Sequence, residues 1–183
     1  MNSKLRLKNI FVGGCFLVCL ALAGCWDLLI SGTFTTVYYL EDAIVSTDDS
    51  LNSVHVDLSG NEDWEDHKGN IKRIEGIEFW VRVTNHGEDS ASAQIWITDN
   101  GSLTTPTEVE SHATLVFDGP RIGPGDTTEI DREESIHHIE HLEELKAQVL
   151  SDSFHVYVIA KDIPFNVEFL DSVAFIITFT AGK

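Results

Sequence analysis

The chain has 183 residues, with 12 Lys or Arg against 30 Asp or Glu, a net charge of −18 with His neutral. No basic patch or aromatic-basic interleaving interrupts that acidity, which repels phosphate backbones and argues against nucleic acid as a partner. The same charge suits plain solubility, a halophilic or marine origin, or cation binding.

The first residues read as a targeting segment, set aside before any fold reasoning. Lys4, Arg6 and Lys8 form a basic start without an acid, and Ile10 to Leu22 is almost wholly apolar. Those thirteen residues span about 20 Å as a helix, short for a membrane crossing. They end in Leu22-Ala23-Gly24-Cys25. This ending resembles the lipobox of bacterial lipoproteins. The resemblance implies diacylation of the Cys25 thiol and cleavage just before it. Cleavage would remove residues 1–24, with three basic residues and no acids, leaving 9 basic against 30 acidic and a net charge of −21.

Of three cysteines, Cys15 and Cys19 lie in the segment expected to be removed, and Cys25 carries the lipid. No internal disulfide is then possible, so stability must come from the core. Two or more acyl chains give stable anchoring, at about 0.8 kcal/mol per buried CH₂. In the sorting rule of such lipoproteins Asp directly after the cysteine favours the inner membrane. Here Trp26 follows Cys25, which favours the outer membrane over the inner. Residues 25–32 read as a lipidated tether and 33–183 as one domain, long enough for a real core.

Short alternating or apolar segments then recur between turn residues, the pattern of a mainly β chain folded as an antiparallel β-sandwich of about seven or eight strands. The expected strands are Thr33 to Leu40, Ser53 to Leu58, Gly76 to Thr84, Ser90 to Thr98, His112 to Phe117, Gly125 to Ile130, Ser153 to Ala160 and Val167 to Thr180. The last is long enough to bend or hold a bulge. One α-helix near 132–150 is inserted. Ile136, Ile139, Leu142, Leu145 and Val149 form its apolar stripe, and Asp131 is its N-cap, with Glu133 and Glu134 in the first turn.

Val81-Arg82-Val83-Thr84-Asn85-His86-Gly87 and Ile122-Gly123-Pro124-Gly125-Asp126-Thr127 resemble turns of immunoglobulin-like bacterial adhesion modules. The resemblance covers about a tenth of the chain. It implies an immunoglobulin-like sandwich and no catalytic residues.

Three groups of residues carry candidate chemistry. A hairpin of Gly76 to Thr84 with Ser90 to Thr98 points Phe79, Val81 and Val83 one way and Trp80 and Arg82 the other. In a register pairing Phe79 with Ile97, Trp80 lies beside Trp96 on the polar face. Trp80, Arg82 and Trp96 would then form a binding face for a sugar ring or a partner's apolar surface, or a pair that only stabilises the hairpin. The acidic stretch holding Asp57, Asn61, Asp63 and Asp66 is either a Ca²⁺ loop or a solvated turn with a short helix starting near Asn61 or Glu62. His137 and His141, four apart on the expected helix, are either Zn²⁺ ligands or an exposed polar face.

There is no G-x-S-x-G elbow, P-loop or dinucleotide fingerprint, and no cofactor is implied beyond a possible Ca²⁺. The sequence therefore reads as a lipid-anchored envelope protein, a non-enzymatic binding module whose partner is an envelope protein or polysaccharide. A divalent-cation-binding envelope protein and a hydrolase of unrecognised type are the alternatives.

Overall fold

The computed structural model describes residues 31–40, 50–162 and 166–182. Cys25, the export segment and the tether up to residue 30 lie outside the described residues. Within them the chain forms β1 (Ser31–Leu40), β2 (Leu51–Asp57), α1 (Glu62–His67), β3 (Ile71–Asn85), β4 (Ala93–Thr98), α2 (Pro106–His112), β5 (Thr114–Asp118) and β6 (Thr127–Ile130). Then follow α3 (Arg132–Ile136), α4 (Leu142–Leu150), β7 (Ser153–Ala160), β8 (Val167–Phe169) and β9 (Val173–Gly182). The expected sandwich is there, as two antiparallel sheets. One runs β1-β9-β3-β6, with β8 also paired to β3, and the other runs β2-β7-β4-β5.

The last expected strand is broken as its length allowed. β9 pairs β3 through Trp80↔Ala174, and β8 resumes at Val83↔Phe169. The residues between bulge out, with the Leu170 amide donating to the Arg82 carbonyl at 2.9 Å. With β8 and β9 counted as one bent strand, first pairs with last, second with seventh, third with sixth and fourth with fifth, all antiparallel. The chain is thus one long hairpin rolled so that its pairs fall alternately in the two sheets. That is the jelly-roll connection. An immunoglobulin order places consecutive strands side by side within a sheet; here only β4 and β5 do so among the first seven. The two turn motifs are formed, but they report local backbone geometry and not strand order.

Strand alternation builds the core. Ile77, Phe79, Val81 and Val83 of β3 face Ile97 of β4 and Phe154, Val156 and Val158 of β7, all buried. Phe79 joins the two sheets, with ring centroids 5.4 Å from Phe117 and 5.3 Å from Phe175. Such aromatic pairs contribute roughly 0.5–1.5 kcal/mol each beyond their burial.

The helices share one end. The connections β2–β3, β4–β5 and β6–β7 carry α1 to α4 and lie at the end where Ser31 pairs with Gly182. The connections 86–92 and 119–126 lie at the opposite end. Each helix has a local start signal. The Asn61 side chain caps α1 by accepting from the Trp64 amide, Thr105 and Glu108 form a capping box on α2 behind Pro106, and Asp131 caps α3 through the Glu134 amide.

The single helix expected over 132–150 is two short ones. β5 is a sheet edge whose outward backbone groups need partners. The intervening segment supplies them. The His138 carbonyl accepts from the Asp118 amide at 3.0 Å, and the Glu140 amide donates to the Val116 carbonyl at 2.9 Å. His141 then takes a left-handed φ of 45° before α4 begins. The break leaves Ile136 53% exposed, whereas Leu145 and Val149 are buried.

Candidate functional site

The two tryptophans do not lie side by side. The expected hairpin is absent because β3 and β4 belong to different sheets. The alternation is as expected, with Phe79 and Ile97 inward, so Trp80 and Trp96 both face outward, but on opposite sides of the sandwich. Trp80 pairs with Ala174, and its indole donates to the Glu129 carboxylate at 3.1 Å. Arg82 is exposed opposite Glu129. Trp96 lies between Leu115 and Tyr157 in the second sheet. It packs into a small apolar cluster with Val109, Tyr157 and Ile159 under α2. Its indole nitrogen is buried and has no hydrogen-bond partner among the described residues.

The acidic stretch serves as caps. The Asp57 carboxylate accepts from the Ser59 amide at 2.9 Å. Hydrogen bonds from Ser59 hold it below the usual carboxylate range. Asn61 accepts from the Thr36 hydroxyl at 2.8 Å and the Trp64 amide at 3.0 Å, and donates to the Val37 carbonyl at 3.2 Å. Its oxygen is thus committed to α1 and to the edge of β1. Asp63 and Asp66 are exposed, while Trp64 between them is buried edge-on against Phe179. The reading as a turn with a short helix from Glu62 describes this segment.

His137 and His141 do not share a helix face, because the chain leaves the helix between them. His137 is the C-cap of α3 and exposed; the His141 imidazole bonds the Leu115 carbonyl at 2.9 Å. Among the described residues no group of three or more His, Cys, Asp or Glu side chains is arranged to hold a metal ion.

The feature with binding geometry is one the sequence did not reveal. An apolar cavity of about 100 Å³ lies between the sheets. The buried Phe79, Val116, Phe117, Leu145 and Phe154 line it, and among the described residues Ser92 carries the only polar side chain in its wall. Close-packed cores hold few voids larger than a water molecule. One of this size approaches the roughly 150 Å³ of an engineered apolar cavity that stays dry and takes up benzene. Ser92, Ala93, Ile95, Gly119, Pro120 and Phe169 are its half-buried wall residues. Most of them sit at the end opposite the helices. Polar contacts adjoin this part of the wall in sequence: the Ser92 hydroxyl donates to Asp162, Arg121 pairs with Asp162 at 2.9 Å and Lys161 with Asp118 at 3.4 Å. Inward alternation in β3 and β4 was legible and names about a quarter of this wall, Phe79, Val81, Val83, Ala93, Ile95 and Ile97. Incomplete filling is a property of the assembled sandwich and has no sequence signal.

No family model matches this chain, and no curated protein matches it. Among solved structures it is similar to a chain of desmodium yellow mottle tymovirus. The identity is 11%, over 84% of this chain and 88% of that one, with a TM-score of 0.36. Among the described residues no helix is long and apolar enough to cross a membrane.

Proposed function

We propose that this chain is an exported bacterial lipoprotein, cut before Cys25 and anchored through acyl chains on it. Its domain is a non-enzymatic binding module that takes an apolar group between its two sheets. The observation that carries the reading is the apolar cavity, whose mouth lies at the end of the sandwich away from Ser31. Five residues lie between Cys25 and Ser31, a reach of about 20 Å when extended. The helical end would therefore face the membrane and the mouth would face outward. Trp26 after Cys25 supports the outer membrane over the inner.

Among the described residues Ser92 is the only polar side chain in the wall, with no paired acid and base, which supports binding over catalysis. Ligand sites are mostly apolar with a few polar groups at their rim, and the Ser92, Arg121 and Lys161 contacts fit that description. The net charge supports a partner other than nucleic acid.

Two measurements test the reading. With Cys25→Ser the precursor should stay uncleaved and take up no labelled palmitate; equal labelling of wild type and variant removes the anchor. An apolar fluorophore should brighten on binding the wild-type chain and not Ile95→Trp, which fills the mouth with an indole. Equal brightening of both removes the cavity as the site.

A further inference from the structure

His55 of β2 and His155 of β7 lie directly opposite each other across the strand pair. Both are on the outer face of the second sheet, since Val54, Val56, Phe154 and Val156 turn inward. Their ring centroids are 4.7 Å apart and the rings are tilted by 39°. We infer that His55 and His155 together form a two-imidazole site for a borderline first-row dication, Cu²⁺ foremost.

The distance carries this. An imidazole nitrogen binds such an ion at about 2.0–2.1 Å, which puts the ring centre about 3.2 Å from the metal. Two rings at ligand angles of roughly 90–110° then have centres roughly 4.5–5.2 Å apart. The observed spacing falls inside that window, so only side-chain rotation is needed to aim two nitrogens at one ion.

The surroundings agree. His55 Nε2 bonds the Ser153 hydroxyl at 2.8 Å, which orients the ring as an outer-shell partner orients a ligand. His155 is half-buried, and its ring makes no hydrogen bond among the described residues. It lies over Gly101, where an added Cβ would come within 2.4 Å of the ring. Asp57, two residues beyond His55 on the same face, adds negative charge beside the pair. Imidazole suits Cu, Ni and Zn, and affinity peaks at Cu²⁺ along the first row. This site is separate from the cavity and does not depend on it. It also differs from the acidic stretch and from His137 and His141.

The test is a Cu²⁺ titration of the whole chain extracted from membranes in detergent. Calorimetry reads affinity, and electron paramagnetic resonance counts bound imidazole nitrogens. One site with two imidazole nitrogens is expected. His55→Gln and His155→Gln should each weaken it on the order of a hundredfold, because each removes chelation. The double variant should lose the site, with no imidazole nitrogen bound there. Ser153→Ala, which leaves both ligands in place but removes the hydrogen bond that orients His55, should weaken binding by less than either histidine variant. A single bound imidazole, unchanged affinity in both single variants, or loss only with His137→Gln or His141→Gln would overturn the inference.

Discussion

Asn85 donates its side-chain amide to the Ile122 carbonyl at 3.0 Å, across 37 residues of sequence. It also donates to the Asp89 carbonyl and accepts from the Gly87 amide, each at 2.8 Å. Its backbone carbonyl accepts from the Gly125 amide at 2.8 Å, where Gly125 holds a φ of 76° that favours glycine. The two turn motifs are therefore one structural unit, and Asn85 is its hub. They lie beside the cavity mouth because residues 86–92 and 119–126 both cross the end away from the helices.

Asn85 is fully buried, so its removal strands the Asp89 carbonyl and the Gly87 amide, while the Ile122 carbonyl keeps the Ala91 amide. Each unsatisfied buried polar group costs about 1–3 kcal/mol. Asn85→Leu should therefore lower stability by about 2–4 kcal/mol in chemical denaturation, with the midpoint falling and the slope unchanged. A loss below about 0.5 kcal/mol would mean that water replaces the amide.

The broken helix makes a second prediction. Leu145 is buried against the core and Ile136 is exposed, although both fall on one stripe in the sequence. Leu145→Asp should cost more than about 3 kcal/mol by burying an unpaired charge. Ile136→Asp should stay within about 0.5 kcal/mol. Similar losses for the two would restore the continuous helix.

The contrast shows where sequence reasoning reached and where it stopped. Alternation put Phe79, Val81 and Val83 inward and Trp80 outward, Asp131 was correct as a helix cap, and a helix start near Asn61 or Glu62 was one of the two readings of the acidic stretch, because those signals are local. The Trp80–Trp96 pair was misassigned because the turn 86–89 was taken to close a hairpin. A tight turn can equally carry the chain from one sheet to the other. The helix over 132–150 kept its apolar period, but period alone does not register an edge strand that needs partners. His55 and His155 were each placed in an expected strand; their pairing across 100 residues is set by the jelly-roll order. Trp64 looked like part of a solvated acidic turn, yet it plugs the helical end with its indole bonded to Asp152.

A third prediction concerns acid. The Thr104 amide and hydroxyl, with those of Thr105, hold Glu108 below its ordinary value. A carboxylate depressed in the folded state adds stability that is present above its unfolded value, near 4.5. That stability is lost as the pH falls through the lowered folded value. NMR titration should show Glu108 ionising below the ordinary glutamate value. Glu108→Gln should flatten the acid limb of the stability curve while leaving the neutral plateau lower only by the cap. Titration of Glu108 at its ordinary value would sink this.

The central claim is that the space between the sheets is a site and not a packing defect. Benzene is a small enough probe, and ligand that binds only the folded chain raises stability by about 1.4 kcal/mol at ten times its Kd. For a domain of this size that is a rise of about 3–6 °C in melting temperature. Val116 is fully buried in the cavity wall, and Val116→Phe fills the space. The account predicts that benzene raises the melting temperature of the wild-type chain and leaves that of Val116→Phe unchanged. No rise in the wild type, or an equal rise in both, would contradict it.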